Sequence, residues 1–306
     1  MKNYYGICEW SFPVSAPFSI QLAALAGFDG IQLGECGGRS FHYPLCQKYV
    51  QNAYLEASRK YNIALHSLNL GALLQSGDIF YAPETVRGSN ARLSIQKGLD
   101  AACALGIERI VITVSPESKP AYRNVVSHLK YACSHAKMYQ IQIIVETNLP
   151  PAGIKRLLEE CRGNIRLCLD TLNPFRFHSS SPIDLIREFQ SVTDHYHLKD
   201  SIRSLFHPDQ RGCVLLGSGD AGFLAVCREI KKTGYTGWFF TENYYQLPPL
   251  NQNGDFLGYA KKIYTPCTRH LRSHLHIDTK KLFCYTIKCG YARHPVSCQI
   301  NRVPTV

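Results

Sequence analysis

The 306-residue chain reads as an α/β protein, a (β/α)8 barrel with a short C-terminal extension. Three observations carry that reading. Short apolar or β-branched runs recur eight times, segments of helical periodicity separate them, and the first strand-to-helix turn, Cys8-Glu9-Trp10-Ser11-Phe12-Pro13, has no glycine. A doubly wound nucleotide fold closes with fewer strands and a glycine-rich first turn. Eight units over about 265 residues therefore suit a closed barrel, which often fills about 250 residues as one domain.

The elements follow in order. Tyr-Tyr-Gly-Ile-Cys at 4–8 is the first strand, and a helix over 20–26 stops at Gly27. A second strand at 30–33 leads to a helix over 45–61, and a third at 63–67 to one over 85–105 that ends at Gly106. The run at 109–114 and the helix at 121–139 make the fourth unit; strands at 142–146 and 166–170 precede helices at 154–161 and 182–192. The last strands, 196–199 and 238–242, flank a helix over 223–233 that stops at Gly234, and 255–264 closes the set as a helix. Gly27, Gly106 and Gly234 supply the left-handed residue that ends a helix. Gly217-Ser218-Gly219 has no Lys-Ser/Thr after it and no strand immediately before it, so it reads as a loop rather than a phosphate cradle.

Composition narrows the class of function. With 45% hydrophobic and 19% charged residues the chain can bury a large core. The net charge of +11 is uneven: residues 261–306 carry +8 and the first 260 only +3, so the barrel is nearly neutral and nucleic acid is not the expected partner. Thirteen cysteines, an odd number with no CxxC pair, and an N-terminus without a signal-like apolar stretch point to a reduced, cytoplasmic setting. No apolar run reaches the length of a membrane span.

In a barrel the chemistry sits at the C-terminal ends of the strands. Three apolar runs end there on a carboxylate: Ile-Ile-Val-Glu146, Leu-Cys-Leu-Asp170 and Phe-Phe-Thr-Glu242. Tyr-His197-Leu-Lys-Asp adds an imidazole on a fourth. A single acid at a strand end is as readily a solvated loop residue or a helix cap. Three on one rim repel each other unless a cation sits among them, and a divalent metal resolves the repulsion. Three hard oxygen donors and one imidazole, without a thiolate, favour Mn2+, Mg2+ or Co2+ over a structural zinc site; Mn2+ heads that set and Zn2+ stays open.

At these residues the chain resembles the xylose-isomerase-like barrel superfamily, in particular its ketose 3-epimerase, hydroxypyruvate isomerase and inosose dehydratase group. The likeness covers about residues 4–262 and rests on Val145-Glu146-Thr147-Asn148, Leu169-Asp170-Thr171-Leu172-Asn173, His197-Leu198-Lys199-Asp200 with Arg203, Leu216-Gly217-Ser218-Gly219-Asp220, and Gly234-Tyr235-Thr236-Gly237 leading into Glu242. The resemblance implies that Glu146, Asp170, His197 and Glu242 hold one divalent metal and that Arg203 contacts substrate. It also marks a departure: the group's epimerases carry a histidine three residues after the metal-binding aspartate, where this chain has Asn173, which bonds a substrate oxygen but carries no proton.

Other residues have weaker claims. His66, near the end of the third strand, is expected to face the pocket and bond a hydroxyl, and Glu9 and Trp10 to offer a polar contact and an apolar wall to a sugar ring. Glu35 is a further rim acid. Lys199, close behind His197, is expected to point away from the rim and is left out of the mechanism. His270, His274 and His276 with Cys284, Cys289 and Cys298 do not space as a zinc module, so 265–306 is expected to be a basic, Cys- and His-containing extension and 1–264 the catalytic barrel.

The resulting expectation is a metal-dependent isomerase or epimerase that transfers a proton next to a carbonyl of a small sugar or polyol-derived substrate. Glu146 and Glu242 are its acid–base pair, acting through an ene-diolate, and Arg203, Asn173, His66, Trp10 and Glu9 contact substrate. A homo-oligomer, dimer or tetramer, fits this expectation. The rival readings are an inosose-type dehydratase, a zinc endonuclease for damaged DNA and a non-catalytic sugar-binding barrel.

Overall fold

The computed structural model describes residues 2–14, 17–34, 42–177, 179–202, 214–245 and 250. Strands β1 Tyr4–Cys8, β2 Gly30–Leu33, β3 Ala64–Asn69, β4 Arg109–Val114, β5 Gln142–Thr147, β6 Ile165–Asp170, β7 Thr193–Leu198 and β8 Trp238–Thr241 pair in parallel in chain order. β8 closes on β1, with Gly6 opposite Phe240, so the sheet has no free edge. The connecting helices are α1 Pro17–Ala26, α2 Lys48–Tyr61, α3 Gly71–Ser76, α4 Val86–Leu105, α5 Lys119–Ala136, α6 Pro151–Glu160, α7 Asn173–Arg176, α8 Pro182–Phe189 and α9 Phe223–Lys232. The (β/α)8 expectation is met, and three strands, β1, β2 and β4, have the limits their apolar runs mark.

The differences lie in short pieces. α3 and α7, of six and four residues, were not expected from sequence, because neither is long enough to display an apolar stripe. The helix read as 45–61 begins at Lys48, after a separate turn of 3-10 helix at Pro44–Cys46. β3 runs two residues past the expected end, to Asn69, and β7 starts three residues earlier, at Thr193. The helix expected at 255–264 and the division at residue 264 fall outside the described residues.

Gly27, Gly106 and Gly234 all adopt positive φ, and at Gly106 (φ 67°) the backbone N–H turns back onto Ala102 and Cys103 to end α4. The seven cysteines among the described residues are free thiols, and burial pushes that of Cys8 up to about 12. No helix among the described residues is long and apolar enough to cross a membrane.

Register fixes which side chains share a layer inside the barrel. Glu146 is opposite Thr113, Asp170 opposite His197, and His197 opposite Phe240. Alternation along a strand then brings Glu242, two residues beyond Phe240, to the same interior face as His197. One step deeper, Val111, Ile144 and Cys168 form a small apolar floor that is fully or nearly fully buried. The acids at the strand ends are thus carried inward rather than outward by a register that the apolar floor enforces.

The far end of the barrel has its own polar group. Asp194, beside Arg109 at the start of β4, accepts from His195 Nδ1 at 2.9 Å and lies 3.3 Å from Arg109 Nε. Burial alone would raise its carboxyl, but the His195 hydrogen bond and the two neighbouring positive or polarised groups bring it down to about 2. An unfolded aspartate titrates near 3.9, so this stability is complete above about pH 4 and is lost as pH falls through about 2. Asp194→Asn should therefore cost about 2 kcal/mol at pH 7, and urea melts should show the gap to the parent closing between about pH 4 and pH 2.

Candidate functional site

Glu146, Asp170, His197 and Glu242 come together at the C-terminal mouth of the barrel, with one donor atom from each within 4.8 Å of the others. All four are buried, at 0–7% exposure, which for three carboxylates is tolerable only with compensating charge. The sequence expectation for this quartet is therefore realised as a cluster.

Each of three residues has one polar atom held by the protein and the other turned to the centre. Asp170 Oδ1 accepts the backbone N–H groups of Leu172 and Asn173 at 2.7 and 2.6 Å, which caps the first turn of α7. Glu242 Oε1 accepts from the Trp10 indole at 3.0 Å and the Tyr244 hydroxyl at 3.1 Å. His197 Nε2 donates to Gln32 Oε1 at 2.8 Å, so Nδ1 is the nitrogen turned to the centre; burial lowers the ring, but Cys168, Cys8, Glu146 and Glu242 outweigh it and hold it well above the ordinary histidine value. The opposite atoms, Asp170 Oδ2, Glu242 Oε2 and His197 Nδ1, are buried and turned to the centre, where charged contacts with one another and with an ammonium hold them. They face one another and an ammonium group: His197 Nδ1 is 2.9 Å from Glu242 Oε2 and 3.6 Å from Glu146 Oε1. Glu146 is braced by Thr113 Oγ1 at 3.1 Å and Asn173 Nδ2 at 3.2 Å.

The ammonium is that of Lys199, which corrects the expectation that it points away. Lys199 lies two residues beyond His197, so strand alternation puts both on the same face. Its Nζ is 2.9 Å from Asp170 Oδ2 and 2.8 Å from Glu242 Oε2, and its main chain is clamped to Thr171 Oγ1 at 2.9 Å. Burial opposes the charge on Lys199, but the surrounding carboxylates win and hold it charged, well above the ordinary lysine value. Glu242 moves the other way: burial raises it, and Lys199 and His197 outweigh burial and hold it below the usual carboxylate range. Asp170 is pushed up by burial, with Glu146 and Glu242 adding like charge, despite Lys199.

Three convergent buried donor atoms on carboxylate and imidazole side chains, balanced here by one ammonium, suit a hard or borderline divalent ion. The partner atoms that fix each ligand are already in place, as metal sites require of their surroundings. Glu146, Asp170, His197 and Glu242 could hold such an ion.

A cavity of about 940 Å3 opens above the quartet. Trp10, Phe12, Leu74 and Phe177 give it apolar walls, while Asn69, Thr113, Asn148 and Asn173 give it hydrogen-bonding ones. Trp10 and Asn173 therefore reach the site, and both also brace its carboxylates. Glu9 lines the cavity too, but its oxygens accept from Ser19 Oγ, Tyr54 O–H and the Gly34 N–H at 2.7–3.0 Å, so it anchors the β1 turn.

His66 is placed elsewhere. Its ring packs inside the barrel 4.8 Å from those of Trp238 and Phe240 and 5.3 Å from His195, at the level where β8 begins, and it does not line the cavity. Because β3 continues to Asn69, that residue occupies the rim position expected of His66, with a buried Oδ1 that has no partner among the described residues. Arg203 and Glu35 lie outside the described residues. Gln32 and Tyr244 escaped sequence reasoning altogether. A lone glutamine in a strand carries no chemical signature, and its role appears only once β2 and β7 face each other across the barrel.

Comparison with known proteins agrees with this architecture. The profile of the xylose isomerase-like TIM-barrel family matches residues 20–257. A 2-epi-5-epi-valiolone 7-phosphate 2-epimerase from an Actinoplanes species is 32% identical over 225 residues, covering 71% of this chain and 78% of that protein. A D-allulose 3-epimerase from a Methylomonas species superposes with a TM-score of 0.70 at 18% identity, over 88% of this chain and 98% of that one. The IolI protein, solved with a bound zinc atom, does so with a TM-score of 0.68 at 16% identity, over 90% and 100%. The two structural likenesses speak to the fold.

Proposed function

The chain belongs to the xylose isomerase-like TIM-barrel family as an isomerase or epimerase, and from this premise we propose a cytoplasmic enzyme that inverts the carbon next to a carbonyl, or moves the carbonyl onto it, in a small polyhydroxylated substrate. The single observation that carries the reading is the convergence of the buried donor atoms Asp170 Oδ2, Glu242 Oε2 and His197 Nδ1, beside Glu146, at the floor of a cavity of about 940 Å3. Glu146, Asp170, His197 and Glu242 would hold one divalent ion, Mn2+ by preference. Bound there, the ion would act as a Lewis acid toward the carbonyl oxygen and its neighbouring hydroxyl.

The chain's own groups account for the proton. One of Glu146 and Glu242 takes the proton from the carbon beside the carbonyl; the C–H electron pair becomes the new double bond and the carbonyl pair moves to oxygen, giving an ene-diolate. The other glutamate returns a proton to that carbon, and the electrons run back. Strands β5 and β8 present the two carboxylates from separate sides of the mouth, which supports delivery to opposite faces. Trp10 and Tyr244 hold Glu242, and Thr113 and Asn173 hold Glu146, so each base keeps a fixed aim. Trp10, Phe12 and Phe177 would give the reacting carbons apolar walls.

A sugar or cyclitol substrate is supported by the Actinoplanes relative, whose name specifies a phosphorylated cyclitol ketone, and a volume of about 940 Å3 accommodates a ring with a phosphate. The test is an NMR panel of ketoses and keto-cyclitols, each with and without a phosphate, incubated with Mn2+-loaded and chelator-dialysed protein. At least one should convert to the stereoisomer or positional isomer at the carbon next to the carbonyl, with Mn2+ only. Conversion independent of metal, or loss of water in place of isomerisation, would overturn the reading.

A further inference from the structure

Among the described residues, Lys199 is the buried lysine of the centre that the proton transfer leaves without a task. Its side chain is 7% exposed, and Lys199 is among the residues that line the cavity. Its contacts are Asp170 Oδ2 at 2.9 Å, Glu242 Oε2 at 2.8 Å and Asn173 Oδ1 at 3.4 Å. The first two are among the atoms that converge with His197 Nδ1 and Glu146 as the cation site. An ammonium and a divalent ion cannot both keep those oxygens at contact distance, because like charges repel strongly in so buried a site. The Lys199 main chain is fixed by Thr171, which donates to its carbonyl at 3.0 Å and accepts from its N–H at 2.9 Å. What can shift is the four-carbon side chain, and the space open to it is the cavity.

Charge arithmetic says what it does there. Three carboxylates, a neutral imidazole and a divalent ion sum to −1, so an oxygen that turns negative on a substrate would meet a site already negative. Adding Lys199 brings the sum to zero. We propose that Lys199 is a catalytic residue: displaced from Asp170 and Glu242 by the divalent ion, its ammonium donates a hydrogen bond to the substrate oxygen that takes up the electron pair when the neighbouring C–H proton leaves. This rests on the proton-transfer reading above. Lys199 gives up no proton in the step; the abstracted proton resides on a glutamate and the charge of the ammonium is constant. The group it recognises is the oxygen of an α-hydroxyketone, as carbonyl in the ground state and as enolate-type anion after abstraction. Such a donor acts most where charge develops, so its removal should cost turnover more than substrate affinity.

The same geometry makes Lys199 a competitor of the metal, and this gives the test a readout that does not depend on turnover. In Lys199→Met, Mn2+ affinity measured by calorimetry should rise about tenfold, because the competing cation is gone. In the same variant kcat should fall at least about a hundredfold with a smaller change in KM. Lys199→Gln, whose amide can still hydrogen-bond both carboxylates, is the second variant and should show the same two signs if the Met variant fails to fold. Mn2+ affinity that falls in both variants would mean that Lys199 is a structural clamp, and kcat equal to the parent's would mean that it does not touch the reacting oxygen; either result overturns the proposal. Isomerisation by the parent, run alongside, keeps the two readings apart: a parent without turnover on any substrate counts against the proton-transfer function, whereas an active parent with an equally active Lys199→Met counts against Lys199 alone.

Discussion

Glu146→Gln and Glu242→Gln should each lower kcat by at least about a hundredfold, since an amide of nearly the same volume has lost the basic oxygen that takes or returns the proton. The two variants should differ in how much metal they keep, and the hydrogen bonds around them say which way. Glu242 Oε1 accepts from two donors, the Trp10 indole and the Tyr244 hydroxyl. A glutamine there keeps its carbonyl oxygen on those donors and turns its NH2 toward His197 and the centre, where it cannot ligate. At Glu146 one oxygen accepts from Asn173 and the other meets the Thr113 hydroxyl, which can rotate to accept from an amide. Glu146→Gln should therefore retain most of the Mn2+ affinity and lose turnover, while Glu242→Gln loses both. Calorimetric titration beside steady-state kinetics reads the contrast; full activity in either variant would remove that glutamate from the mechanism.

The second large effect belongs to the two proposed ligands without a proton role, His197 and Asp170. His197→Ala should weaken Mn2+ binding by at least about a hundredfold and recover part of its activity in excess Mn2+, because Glu146 and Glu242 are then left facing each other without the nitrogen between them. Asp170→Ala should do the same and also loosen α7, whose first N–H groups the carboxylate caps. Asp170→Asn separates the two contributions: its amide oxygen can still accept from Leu172 and Asn173, so the helix is kept and the charge is lost. Metal affinity measured across the pair assigns the difference to the cap. An Asp170→Ala protein that binds Mn2+ like the parent would place the ion elsewhere.

The barrel and its mouth were legible because burial is expensive for a carboxylate. Glu146, Asp170 and Glu242 each end an apolar run, and three such endings, on the fifth, sixth and eighth units, single out one rim whatever the helices between them do. The parts that were not legible depend on counting and on facing. Ending β3 two residues early put His66 on the rim and hid Asn69. Treating Lys199 as the next residue after His197, when it is the second, reversed its side of the sheet and concealed the cation that balances the site. Gln32 and Tyr244 act only through a partner from a distant strand, and α7 is too short to have a period, although Asp170 starts it. A local pattern reports the face of a strand; it does not report what the opposite strand brings to meet it.

Isomerisation in D2O tests the central claim most directly, because the abstracted proton rests on a glutamate that exchanges with solvent. With Mn2+-loaded protein and the best substrate of the panel, mass and NMR spectra of the product should show one deuterium on the carbon next to the carbonyl, and none when Glu146→Gln or chelator-dialysed protein is used. Product formed at the parent's full rate with hydrogen alone at that carbon, or deuterated product from metal-free protein, would contradict proton transfer at a metal-bound pair of glutamates.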